Sequence, residues 1–159
     1  MAQPGSNITL RSAQEADLPF INSLSASLAA GAKFNWHEEA AVQKFQDDYI
    51  AEMMAETSVP ALTLIAEKDG TRAGFIHART HQDDITGEDC GTVPLLAVSE
   101  AAQGTGTGRL LMDAAEDWSK AQGYRLLHLE VFSTNDQALG FYENLGFQAE
   151  TITMIKSLN

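Results

Sequence analysis

Gln103-Gly104-Thr105-Gly106-Thr107-Gly108 stands directly before an amphipathic run from Arg109 to Gln122. Three glycines at alternate positions let the backbone approach a ligand closely. The helix predicted after them aims its unpaired N–H groups and positive dipole end at the same point. Together they describe a pyrophosphate cradle. No lysine follows the glycines, which excludes a Walker A loop, and a dinucleotide fingerprint fails because Arg109 stands where its third glycine is required.

Working outward, the hydrophobic period changes along the chain. Ile8-Thr9-Leu10-Arg11 alternates like a short strand, and Ser12 with Glu15 has capping-box spacing before a helical pattern through Leu18, Ile21, Leu24 and Leu28. Gly31 and the aromatic stretch Phe34 to Trp36 interrupt it. A second helix is predicted over about 38–55, carrying Ala41, Phe45, Ile50 and Met54, with Pro60 as its limit. Strand-like runs over 61–67 and 73–80 flank Lys68-Asp69-Gly70-Thr71, a hairpin signal because Asp-Gly tolerates the positive φ of a tight turn.

A further apolar strand is predicted over 92–98. Pro94 inside it cannot donate to a ladder and implies a bulge or an unpaired side. After the glycine turn and its helix come a strand over 126–132, a helix over 135–145 with Thr134 and Gln137 spaced to cap it, and an alternating strand over 148–156. The order is β-α-α-β-β-β-α-β-α-β. It predicts an α/β (α+β) domain with a mixed, mostly antiparallel sheet of six to seven strands flanked by about four helices.

A length of 159 residues with 44% hydrophobic side chains suits one domain over 1–159. Met1 to Ser6 is polar, without a basic and then apolar leader, and no apolar run approaches the roughly 18 residues of a membrane span. Cys90 is the only cysteine, so no intramolecular disulfide forms, and it reads as a small buried residue. A cytoplasmic protein without a membrane partner is the expectation. The net charge of -12 argues against nucleic-acid binding through a broad basic surface and favours a cationic acceptor. His77 and His81 have helical metal-ligand spacing but fall in or beside a predicted strand with no ligand set nearby, so no metal is assigned.

The second chemical constellation is Asn135-Asp136-Gln137-Ala138-Leu139-Gly140-Phe141-Tyr142-Glu143-Asn144-Leu145-Gly146-Phe147, in which Ala138, Phe141, Tyr142 and Leu145 share one helical stripe. Alone, Tyr142 reads as a core aromatic and Asn135 as a cap. With the glycine turn, the chain resembles the GCN5-related N-acetyltransferases, the GNAT superfamily. Gln103-x-x-Gly106-x-Gly108 matches the family's Gln/Arg-x-x-Gly-x-Gly/Ala motif. Asn135, Ala138, Phe141, Tyr142, Gly146 and Phe147 match its second motif, about 30 residues further on.

The resemblance implies that acetyl-CoA is the cosubstrate and that no metal is used. Its pyrophosphate would be held at Gln103, Gly104, Thr105, Gly106, Thr107, Gly108 and Arg109, chiefly by backbone amides. Its pantetheine arm would lie along Leu96, Ala97 and Val98, where an amide polarises the thioester carbonyl, and would accept a hydrogen bond from Asn135. Tyr142 would protonate the departing thiolate, since a phenol pKa near 10 is close to a thiol's of about 8.5.

An acceptor ammonium, with a pKa near 10.4, must lose a proton before it attacks, so a base or a water relay is needed. Strand alternation puts Leu126, His128, Glu130 and Phe132 on one face, and Leu127, Leu129 and Val131 on the other. Leu129-Glu130-Val131 is similar to the pattern in bacterial acetyltransferases of a ribosomal protein's N-terminal alanine, where the glutamate is the proposed base. Glu130 also reads as a hydrogen-bonded or sheet-edge carboxylate, and His128 is the second candidate base. Phe34, Trp36, His37, Glu38 and Glu39 fall in the region that forms one acceptor wall in the family, with surface solvation or packing on the second helix as the other reading.

The implied activity is N-acetyl transfer by direct attack in a ternary complex. The acceptor would be a small amine, an amino-acid derivative or a protein or peptide N-terminus. A non-catalytic acyl-CoA-binding sensor is the alternative. O-acetylation, longer acyl chains and a homodimer stay open.

Overall fold

Asp69 and Gly70 adopt φ of 52° and 80°, the left-handed pair that lets a two-residue turn follow the right-handed twist of its strands. They join β2 (Ala61–Lys68) to β3 (Thr71–Gln82), the antiparallel centre of the sheet in the computed structural model. Residues 7–159 are described; Met1 to Ser6, expected to be a polar leaderless end of the domain, lie outside them. β1 (Ile8–Ser12) pairs antiparallel with β2, and β4 (Asp89–Val98) antiparallel with β3. β5 (Leu127–His128) runs parallel to β4, giving the order β1-β2-β3-β4-β5.

Strand alternation divides the core between two faces. Ile65, Phe75, Leu95 and Ala97 pack against Ile21, Leu24, Ile50 and Met53, which come from α1 (Leu18–Ser23), the connection after it, and α3 (Glu39–Ala55). The short α2 (Ser25–Ala29) precedes α3. On the other face Ala66, Ile76, Ala78 and Val93 meet Leu111, Met112 and Ala115 of α4 (Thr107–Ala121). Phe141, Tyr142 and Leu145 extend that cluster, the first two from α5 (Asp136–Asn144).

The sheet has five strands among the described residues, fewer than the six to seven expected, and five α-helices where about four were expected. The helix through Leu18 and Leu28 breaks at Leu24 into α1 and α2. Its lead-in is capped two residues later than Ser12 and Glu15 predict, with Gln14 N donating to Asp17 Oδ2 at 2.7 Å. On α3 the residues facing the core are Gln46, Ile50 and Met53, which turns Phe45 outward, 56% exposed.

The strand predicted over 126–132 pairs only at Leu127 and His128. That predicted over 148–156 does not form, and Ile152 and Met154 stand exposed. An alternating sequence makes a strand only where a ladder receives its N–H and C=O groups, and β5 ends before it offers one. No described helix is long and apolar enough to cross a membrane.

Candidate active site

The glycine turn has the backbone its sequence predicts. Gly104 and Gly106 take φ of 76° and 85°, and Gly106 is the residue before the first turn of α4. The helical ladder starts with Leu110 N donating to Gly106 O at 3.1 Å. The amides of Thr107, Gly108 and Arg109 therefore have no backbone acceptor among the described residues. The threonines brace the turn from inside: Thr105 Oγ1 donates to Ala102 O at 2.5 Å and lies 2.7 Å from Thr107 Oγ1, and Thr107 is buried. Gly108 faces β4 and α5 closely, since a Cβ there would lie 3.4 Å from the Phe141 ring and 3.7 Å from Val98 Cγ2. Gln103 and Arg109 are exposed at the rim.

β4 leaves one edge open beside this turn. Leu95, Leu96, Ala97 and Val98 pair with β3 on one side, while on the other β5 reaches only Gly91 and Thr92. The β3–β4 register slips between His77 and Arg79, so Val93 and Pro94 together stand opposite Ala78. That bulge fits the missing proline N–H, and the parallel pairing with β5 stops next to it. Beyond Thr92 the edge of β4 away from β3, including Leu96, Ala97 and Val98, has no strand partner among the described residues.

α5 closes the same region. Asn135 caps it, its Oδ1 accepting from Ala138 N at 3.1 Å, in place of the predicted Thr134 cap. Thr134 instead donates to Gly31 O at 2.6 Å and accepts from Lys33 N at 3.1 Å, tying the start of α5 to the chain after α2. Gly31 is needed there, since a Cβ would stand 2.5 Å from Asn135 Nδ2. Tyr142 is half-buried against Phe141 and Phe147, and burial pushes its phenol up to about 12.

β5 and the chain after it present the opposite face. Leu127 and Leu129 pack with the α4 side, and within β5 alternation turns His128 to the other face. Phe132 meets Phe34 edge-on at 6.0 Å, and Phe34 stacks on Trp36 at 5.0 Å. Glu130 is exposed and has no hydrogen-bond or ion-pair partner among the described residues. Tyr49 of α3 has its pKa raised by burial and then by the Glu130 charge, with Arg79 opposing.

His128 Nε2 lies 3.1 Å from Asp83 Oδ1. Asp83 is buried, and hydrogen bonds from Thr86 N and its hydroxyl hold its carboxyl down to about 2. The His128 ring also lies 5.2 Å from that of His81. His77 is buried with Nδ1 2.7 Å from Thr63 Oγ1, and burial, with the nearby Arg79, lowers its pKa to about 4. Burial likewise pushes the Cys90 thiol up.

Thus the glycine turn, Leu96 to Val98 and α5 share one side of the β4–β5 gap. His128 lies at Asp83, and Phe132 joins the Phe34–Trp36 pair. Sequence reading missed Tyr49, the Asp83–His128 pair and the Thr134–Gly31 link, which join residues too far apart for local spacing to signal.

Residues 25–147 match the profile of the Acetyltransferase (GNAT) family. The mycothiol acetyltransferase of Streptomyces avermitilis is 35% identical over 118 residues, 73% of this chain and 36% of that protein. Among the curated relatives it matches, the chain spans from 17% to 42% of their length. An aminoglycoside N-acetyltransferase solved in complex with CoA shares the fold, with a TM-score of 0.68 and 19% identity over 98% of this chain and 97% of its own. A ribosomal-protein-alanine N-acetyltransferase from Brucella melitensis does so with a TM-score of 0.65 and 21% identity, over 96% of this chain and 99% of its own.

Proposed function

Because the chain belongs to the Acetyltransferase (GNAT) family, we propose that it transfers acetyl from acetyl-CoA to a primary amine by direct attack within a ternary complex. The observation that carries this reading is the junction at Gly108, where free α4 amides, the open β4 edge and α5 converge.

Acetyl-CoA supplies an acetyl group already activated as a thioester. The amides of Gly104 to Arg109, with the turn residues Gln103, Thr105 and Thr107, receive its pyrophosphate at the positive end of α4, which needs no lysine. Leu96, Ala97 and Val98 offer backbone donors and acceptors to an extended amide-bearing arm, and an N–H there polarises the carbonyl that is attacked. Asn135 uses its Oδ1 as a cap and keeps its Nδ2 free to donate to that arm. Tyr142 stays protonated through the physiological range and so stands ready to deliver a proton to the leaving sulfur.

Glu130 takes the proton of the entering ammonium, directly or through water, from the opposite side of the gap. His128, oriented by Asp83, is the second candidate. The acceptor is a small amine, an amino-acid derivative or a protein or peptide N-terminus, met by the chain alone or as a homodimer. Relatives named for mycothiol, aminoglycosides and a ribosomal protein differ in acceptor while sharing this fold.

The test is thiol release from acetyl-CoA across an amine panel. Tyr142→Phe and Glu130→Gln are each expected to lower kcat by about a hundredfold, with CoA affinity nearly unchanged for Glu130→Gln. Unchanged rates in both variants remove the assigned roles. CoA binding with no thiol release on any amine favours the non-catalytic sensor.

A further inference from the structure

The segment over 148–159 leaves Phe147 and is exposed at every residue. Its large apolar side chains, Ile152, Met154, Ile155 and Leu158, are between 54% and 89% exposed, although Gln148 to Lys156 alternates as a strand does. No backbone hydrogen bond among the described residues ties it to the rest of the chain. An apolar, strand-patterned segment held in water is costly and invites pairing.

A second strand-patterned stretch also lacks a ladder. β5 is the last strand of the sheet, and beyond His128 the backbone of Leu129, Glu130 and Val131 pairs with nothing among the described residues. Leu127 and Leu129 are only half-buried in their cluster, as are Phe141, Tyr142, Leu145 and Phe147, and α5 buries no residue fully. Sheet edge and helix stripe thus form a half-covered apolar ledge.

We infer that a second copy of this chain covers the ledge: in a homodimer the segment over 148–156 of each copy adds as a strand beside the stretch over 129–132 of the other. The unfilled edge and the unpaired segment belong to one chain, so two copies carry them in equal number, and a twofold exchange fills both and closes on itself. Extended at about 3.3 Å per residue, the stretch over 148–156 reaches about 30 Å, enough to cross to a neighbouring molecule. Its apolar side chains, at about 100 Å² each from both copies, bury with the faces they meet about 1,600 Å², the size of a stable interface. The segment's side-chain charges, Glu150 and Lys156, cancel, so it docks on a chain of net charge -12 without adding to the repulsion. The inference is independent of the proposed reaction, although Glu130 stands within the receiving stretch.

The experiment combines light scattering with amide hydrogen exchange on the full chain. At about 10 µM the protein should show twice the mass of one chain. Exchange should be slowed about a hundredfold, relative to the double variant Ile152→Glu/Met154→Glu, both over 149–156 and at Leu129 to Val131. That variant should weaken the dimer by about a hundredfold. Both replaced side chains stand in water within one copy, so it keeps its fold, which a circular-dichroism melt checks. Thr153→Pro, which takes a ladder donor from the same segment, should weaken the dimer likewise.

A monomer overturns the inference, and a monomer with slowed exchange over 149–156 means that the segment folds onto its own sheet. A dimer whose 149–156 amides exchange freely, one that protects them but not Leu129 to Val131, or one that survives both variants also overturns it. Failure of the proposed reaction looks different: the dimer forms as described but releases no thiol from acetyl-CoA on any amine.

Discussion

Asp17 is a buried carboxylate that holds three parts of the chain. Arg11 Nη1 and Nη2 each donate to it at 2.8 Å, Arg72 Nε at 2.7 Å, and Gln14 N at 2.7 Å. The Arg11 hydrogen bonds, helped by Arg72 and opposed by burial, hold its pKa well below the usual carboxylate range. A group whose folded pKa is depressed stabilises the fold above its unfolded pKa of about 3.9 and loses that contribution as the pH falls below it. Asp17→Asn should therefore lower stability at pH 7 by about 3 kcal/mol. The gap between variant and wild type in urea titrations should shrink from about pH 4 downward. A gap that is the same at pH 7 and pH 2.5 contradicts the assigned ion pair. Arg11 and Gln14 lie within six residues of Asp17, but local sequence does not foretell the Arg72 contact, 55 residues away.

At the scale of elements, β4 is where local rule and tertiary context meet. Pro94 was legible as a bulge or an unpaired side, and the slip opposite Ala78 is where the bulge falls. The close approach of α4 to the same strand was not legible. A Cβ on Gly91 would collide with Ser119 Oγ and come within 3.0 Å of Leu127 Cδ1. Gly91→Ala should cost about 2 kcal/mol by overpacking, and Ser119→Ala should recover part of it in the double variant. Additive losses in chemical denaturation would show that the two residues do not touch. The Asp69-Gly70 turn and the helix before Gly146 were readable because each depends on a few neighbouring residues. The strand over 148–156 was misread because strand formation depends on a partner that the alternation of its own residues does not reveal.

For the molecule as a whole, the net charge of -12 governs how its two proposed substrates arrive. An anionic donor is repelled at long range and a cationic acceptor is attracted, and salt screens both effects as the Debye length falls from about 30 Å at 0.01 M to about 8 Å at 0.15 M. Steady-state kinetics should therefore show the amine KM rising about threefold over that range and the acetyl-CoA KM falling. Two constants that move together would point to local contacts in place of the overall field.

The sequence by itself determined the order of elements from β2 to α5, the glycine turn, the α5 motif and the family, because each is written in residues a few positions apart whose backbone preferences act locally. Only the tertiary structure decided that β5 stops at His128, leaving the β4 edge open, and that Asn135 caps α5 while Thr134 anchors it. Those outcomes depend on packing between segments up to about a hundred residues apart, where the winning contact is selected by burial and by which polar groups find partners.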